Sequence, residues 1–256
     1  MHCFEQQWMA LTEGRSRAAR VGTMLCCVSL GLLLAMVVAP LTLPSGSVPP
    51  LGARANAIDY ATIDGPLSYG NQPHLDHETR QVVLPEETFA WSELPLAHAI
   101  VYAFGDLNCH MLHERSWEVN GNQMPMCVRD IGIIAGLALA GALLRSRLVN
   151  RWTITDTTLS VLPSTWQDAI YASQRRSLAF YGLGALCVVP LGLDGFVQLL
   201  TAYESTALLR MVTGLPFGFG LGVLMGAMLS ARPGDLSAIA SVRLPGGARF
   251  AVQEAE

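Results

Sequence analysis

Cys109 and His110 are adjacent, Cys127 follows 18 positions after Cys109, and Asp130 comes three residues after that. Thiolate, imidazole and carboxylate together form a donor set for zinc or another borderline transition metal. The Cys127-x-x-Asp130 spacing lets both side chains approach one ion from a single turn. His113, three residues after His110, can stand in for either neighbour, and Pro125 favours a tight approach to Cys127. The same two cysteines suit a structural disulfide equally well, since both are expected to face an oxidising compartment and would close a loop of ordinary size. A reversible dithiol that exchanges electrons with a quinone or a partner is the third reading. It normally needs a second thiol pair or a bound cofactor, and Cys26, Cys27 and Cys187 lie in apolar runs where a thiol acts as a small hydrophobe.

Charged groups surround this stretch. Arg115 and Arg129 bracket the segment between the cysteines, while Asp194, Gln198, Glu204 and Arg210 fall at the ends of two later apolar runs. Asp194 and Gln198 share a helical face at four-residue spacing, and charges at the ends of membrane helices tend to pair. One reading is a set of ion pairs and hydrogen bonds that clamps an outer loop onto the helices. The sharper one is a polar pocket for an ion or small ligand, with Asp194 and Glu204 acidic and Arg115 or Arg129 contacting an anion.

The elements that must position these residues are membrane helices. The 256 residues are 51% hydrophobic and 14% charged, against about 25% charge in a soluble domain, and the mean hydropathy is positive. A polar leader, 1–20, precedes an uncharged run, 21–43, long enough to span a bilayer, which takes about 20 residues. Ala55-Asn56-Ala57 has the small-x-small form of a signal-peptidase site, but the run is long and the Pro-rich gap before that site is wide, so a retained span is expected. Residues 44–93 read as an irregular extracytoplasmic loop with short strand pieces near 81–84, and the His74-Leu75-Asp76-His77 pair within it as a solvated loop rather than a metal site. Residues 93–112 are amphipathic and suit a helix that lies in the interface or enters the membrane partway, with Pro95 near its start.

Three further spans are expected, at 131–144, 177–193 and 207–229, with a connector at 148–174 that contains a short helix near 164–173. Gly132, Gly136, Ala140 and Gly141 favour close helix packing, as do the glycines between Gly214 and Gly226. Arg15, Arg17, Arg20, Arg145, Arg147, Arg151, Arg175, Arg176 and Arg232 place both termini and the connector in the cytoplasm by the positive-inside rule. Four spans then put residues 44–129 and the turn 194–206 on one outer face. The organisation is a leader at 1–20, a first span at 21–43, an outer loop at 44–93, a membrane domain at 94–230 and a cytoplasmic tail at 231–256.

Other chemistries lack their residues. All 16 basic residues are arginine and the net charge is -4, which leaves no phosphate-loop lysine and no basic field for nucleic acid. Neither a Gly-x-Ser-x-Gly elbow nor a His-Glu-x-x-His helix occurs.

The order of motifs carries a resemblance. Cys109-His110, Glu114-Arg115-Ser116, Cys127-x-Arg129 and Gly132 are followed by Leu193-Asp194-Gly195-Phe196-x-Gln198-Leu199, then by Glu204-Ser205-Thr206-x-Leu208-x-Arg210-x-x-Thr213-Gly214. Over about 100–229 this resembles the prokaryotic membrane proteins grouped as domain-of-unknown-function family 2085, with their Cys-His-Gln, Cys-x-Arg-Cys-x-Gly and Asp-Gly-x-x-Gln motifs. The resemblance implies an integral membrane fold. Met111 stands where that family has Gln and Asp130 where it has a second clustered Cys, so the family-type shell becomes Cys109, His110, Cys127 and Asp130. Aspartate can ligate zinc but cannot form a disulfide or carry electrons, which favours metal or structural readings over redox catalysis. The expected protein is a non-enzymatic, all-α integral membrane protein of about four transmembrane helices, with zinc or another transition metal as candidate cofactor. Its expected partners are the lipid bilayer and, on an accessory-subunit reading, a larger membrane complex; a membrane thiol oxidoreductase is the enzymatic alternative.

Overall fold

The long apolar runs do fold as helices. The computed structural model describes residues 2–52, 58–75, 82–83, 87–109, 111–236 and 238–250. Helix α1, His2–Thr42, joins the polar leader and the first apolar run into one continuous helix. Two short strands, β1 (His74–Leu75) and β2 (Val82–Val83), pair antiparallel, and α2 covers Leu96–Asn108 behind Pro95. A hairpin follows, β3 (Ser116–Val119) and β4 (Asn122–Cys127), then α3, Val128–Arg147. Two short helices, α4 (Ile154–Leu159) and α5 (Ser164–Ala172), lead into α6, Arg176–Leu200, and α7, Ala207–Ser230.

Three helices are long and apolar enough to cross a membrane, by length and composition: Arg17–Thr42 within α1, Arg176–Leu200 and Ala207–Ser230. The expected fourth, α3, is not among them. Arg129 and Asp130 at its start and Arg145 and Arg147 at its end leave the uncharged stretch 131–144. At about 1.5 Å per residue this stretch rises only about 21 Å, against a hydrocarbon core of about 30 Å. Two other expectations are corrected, while the fourth span is neither shown nor contradicted by length and composition. The turn expected at 194–206 is shorter than that, because Phe196, Val197, Leu199 and Leu200 continue α6 past Asp194. The segment between the cysteines carries a β-hairpin, so the fold is mostly helical rather than all-α.

The chain divides into two units. One contains Met1–Leu30, Ile133–Tyr203 and Leu215–Glu256, and is organised by glycine contacts around α3. A Cβ at Gly141 would lie 2.5 Å from the Cys26 backbone nitrogen of α1, and one at Gly218 of α7 would lie 2.0 Å from the Ile133 carbonyl oxygen. Those distances mean backbone-to-backbone packing, the use expected for small residues between membrane helices. Gly222 and Gly226 continue the α7 row against Ala140 and Leu144 of α3. Helix α6 is mostly exposed, with Leu178, Tyr181, Leu186, Phe196 and Leu199 all turned outward.

The other unit contains Gly31–Gly132 and Glu204–Gly214. Its core gathers Ala39, Leu43, Val48, Leu51, Tyr60, Phe89, Tyr102 and Met111. The described part of the 44–93 segment has little regular structure but is firmly pinned. Asp106 of α2, 5% exposed, accepts hydrogen bonds from the backbone N–H groups of Asp59 and Tyr60 and from the indole N–H of Trp91 at 2.9 Å. Asn71 donates to the Phe89 carbonyl at 2.8 Å and accepts from its N–H at 2.9 Å. His77 and the Ala55-Asn56-Ala57 motif lie outside the described residues.

Candidate functional site

The hairpin has a simple local cause. Val119 pairs with Asn122 across Asn120 and Gly121, whose φ angles are +54° and +68°. Asn-Gly is the dipeptide that adopts two consecutive left-handed conformations most readily, and the resulting turn matches the twist of paired strands. The two residues after the turn are buried clamps. The Asn122 side chain accepts from the Val48 N–H at 3.0 Å and donates to the Pro40 carbonyl at 3.0 Å. Gln123 accepts from the Leu51 N–H at 2.7 Å. These bonds fix β4 against the end of α1 and the chain that follows it.

Helix α2 then meets β4 at Gly105. A Cβ there would lie 1.9 Å from the Pro125 carbonyl oxygen, so only glycine lets the two backbones come this close. One helical turn later, the Cys109 N–H bonds the Gly105 carbonyl at 2.7 Å and closes the helix. Two residues past Pro125, Cys127 ends β4, and Asp130 falls in the first turn of α3, where a carboxylate suits the positive end of the helix dipole.

The side chains converge accordingly. The Cys127 N–H donates to the Cys109 sulfur at 3.2 Å, and the Cys127 thiol donates to Asp130 Oδ2 at 3.0 Å. One ligand atom each from Cys109, Cys127 and Asp130 lies within 4.8 Å of the other two. Ligands about 2.0 to 2.3 Å from a tetrahedral ion stand roughly 3.4 to 3.8 Å apart, so the three atoms would have to shift by up to about 1 Å to share one zinc ion. Both cysteines are free thiols. The bond to Cys127 and burial both push the Cys109 thiol up, while the hydrogen bond from Cys109 holds Cys127 below the ordinary thiol range.

His110 lies outside the described residues. His113 does not join the cluster: it sits in a short 3-10 turn, and its Nδ1 faces Glu118 of β3 at 3.6 Å.

The charged residues form a second group in the same unit. Glu204 accepts from Arg115 and from Arg210, each at 3.0 Å, and Arg210 also donates from Nε to the Ser205 carbonyl at 2.8 Å. Arg210 is only 2% exposed, so its charge depends on these partners. Arg115 and Arg129 are close enough for their charges to act on Arg210. The structure thus joins Arg115, Glu204 and Arg210 as a clamp. Asp194 and Gln198 lie on α6 in the other unit, and Arg129, Asp194 and Gln198 each have polar or electrostatic interactions. Sequence reasoning missed Gly105, Asn122 and Gln123, which position the cysteines without touching them. Asn120-Gly121 was the available signal for the last two.

The chain is similar to known proteins over its second half. An uncharacterised protein of Methanothermobacter thermautotrophicus is 31% identical over 116 residues, covering 45% of this chain and 82% of that protein. A second, from Methanocaldococcus jannaschii, is 28% identical over 119 residues, covering 46% of this chain and 62% of its own length. No solved structure matches. A family model described as predicted membrane protein (DUF2085) matches residues 109–224, from the first site cysteine into the last apolar helix, and the chain belongs to that family.

Proposed function

We propose that this membrane protein binds a transition metal ion, zinc foremost, through Cys109, Cys127 and Asp130 on the extracytoplasmic side, and that the site serves structure or ligand binding rather than catalysis. What carries the reading is the approach of two thiols and a carboxylate to within 4.8 Å of one another. The donor set fits the group: two soft sulfurs and a monodentate oxygen suit zinc better than magnesium or calcium, which prefer oxygen alone. A fourth position is then filled by the neighbouring His110 or by water. The ion would supply a fixed tetrahedral cross-link between the end of α2 and the start of α3.

The topology belongs to the same proposal. Helix α3 is read as the fourth crossing despite its short apolar stretch, because it packs against α1 and α7 rather than lipid and carries arginines at its end. Both termini are then cytoplasmic, and segment 44–93 is extracytoplasmic. Elemental analysis of the full-length protein in detergent tests the site: about one zinc per chain is expected, falling at least tenfold in Cys109→Ala and Asp130→Ala. Metal content unchanged by either substitution refutes it. Thiol trapping in cells tests the redox alternative, since a Cys109–Cys127 bridge that forms and reopens replaces the metal reading by a thiol oxidoreductase. For the orientation, an impermeant thiol reagent should label a cysteine placed at Asp64 in whole cells and miss one placed at Ser173.

A further inference from the structure

Helices α1 and α3 touch along a seam of small residues, and beside that seam lies a groove. A Cβ at Gly22 would lie 2.6 Å from the Arg145 backbone nitrogen and 2.8 Å from the Gly141 carbonyl oxygen, so the helices are in backbone contact at this level. Ala18, Gly22 and Cys26 follow one another at four-residue spacing along the contact, which puts Ala19, Thr23 and Cys27 on the adjoining strip of α1. That strip, with Arg20, Met24 and Arg145, lines a shallow, open surface groove of about 500 Å³.

Its polar and apolar parts are separated. The Thr23 hydroxyl is spent on the Ala19 carbonyl of its own helix at 2.8 Å, which leaves the two guanidiniums as the charged groups of the groove. Among the described residues neither Arg20 nor Arg145 has a carboxylate partner, whereas the nearby Arg17 is paired with Asp235. Arg20 stands at the N-terminal end of the groove, and Met24 and Cys27 extend about 6 to 10 Å further along the apolar span Arg17–Thr42. Two cations at the end of a membrane helix above an apolar channel match the amphiphilic shape of a phospholipid.

We propose that this groove holds one anionic glycerophospholipid, its phosphodiester between Arg20 and Arg145 and a hydrocarbon chain over Thr23, Met24 and Cys27. The proposal rests on α1 lying in a membrane but is independent of the metal site. The test titrates the full-length protein in neutral detergent with phosphatidylglycerol or phosphatidylcholine of the same chains, reading bound lipid by native mass spectrometry. Phosphatidylglycerol should be retained preferentially, with about a fivefold loss of affinity for each arginine removed, as in Arg20→Gln and Arg145→Gln. Met24→Trp should block binding without altering charge, and Arg243→Gln with Arg249→Gln should leave it unchanged. Equal retention of both lipids, or equal loss on changing Arg243 and Arg249, overturns the proposal. If Met24→Trp misfolds, Arg20→Gln and Arg145→Gln still decide it. A chain that stays monodisperse without detergent would instead defeat the membrane reading.

Discussion

Gly105→Ala is the smallest change that should open the thiol cluster without touching it. The added carbon would lie 1.9 Å from the Pro125 oxygen, 2.8 Å from its carbonyl carbon and 3.0 Å from its Cβ. Ordinary contact needs about 3.4 Å or more, so α2 and β4 must separate by roughly 1 to 1.5 Å, and the two nearest of these atoms are backbone. Overpacking of this kind costs about 1 to 3 kcal/mol. The larger effect falls on the site: Cys109 is carried by the same helix end and Cys127 by the same strand, while metal–ligand distances tolerate only about 0.2 Å. Zinc affinity, measured by competition with a chromophoric chelator, should fall at least tenfold while helix content by circular dichroism is kept. Maleimide labelling of Cys109, 8% exposed in the native protein, should accelerate in parallel. Gly184→Ala is the control, since a Cβ there meets nothing within 4 Å. Unchanged zinc affinity and labelling in Gly105→Ala would refute the claim that this contact positions the cysteines.

Asp106→Ala removes the common acceptor of two buried backbone N–H groups and the part-buried Trp91 indole N–H and should destabilise the unit by about 3 kcal/mol; limited proteolysis should then cut within 58–94 at concentrations the native protein resists. Glu204→Ala strips Arg210 of its carboxylate. Because Glu204 is itself more than half exposed, a loss of about 2 kcal/mol is expected in thermal unfolding rather than the roughly 3–5 kcal/mol of a fully buried pair. Burial pushes Tyr102 and Tyr171 above the ordinary phenol range. A folded-state value above the unfolded one means their stability contribution is whole below about pH 10 and is lost as pH rises beyond it. Denaturation midpoints should therefore fall between about pH 10 and 11.5, and less steeply in Tyr171→Phe.

Much of the helical framework was legible because apolar runs bounded by arginines need no partner to be recognised. The start of α6 and both ends of α7 fell close to where charge and hydropathy change. The end of α6 did not, because Asp194 looked like a boundary when the apolar residues after it extend the helix. Residues 108–132 were legible in composition but not in shape. Cys109, Cys127 and Asp130 stand out by type and Asn120-Gly121 carries a hairpin signal, but Pro125 within the second strand speaks against regular pairing. Gly105 gave no sign of its role, since a glycine inside an amphipathic helix says nothing about which backbone it approaches. Asp106 was equally opaque: its three donors come from positions 59, 60 and 91, and no local spacing connects them to an acceptor on α2.

The same physical device recurs at each of these contacts and accounts for their rigidity. Where two elements meet through long side chains, rotamer changes can absorb a displacement of an ångström; where a missing Cβ brings backbone against backbone, nothing is left to adjust. Gly105 against Pro125 is such a contact, as are Gly141 against Cys26 and Gly218 against Ile133. For the proposed metal site, a ligand set spread over a helix end, a strand end and the next helix would otherwise be a poor way to hold an ion, because three independent elements must agree. It becomes workable here because the first two elements touch by backbone one turn before Cys109 and two residues before Cys127, and because Asp130 follows Cys127 within a single turn. The geometry of the cluster is then set by the contact at Gly105 and the start of α3, and the thiols themselves need contribute little to holding it.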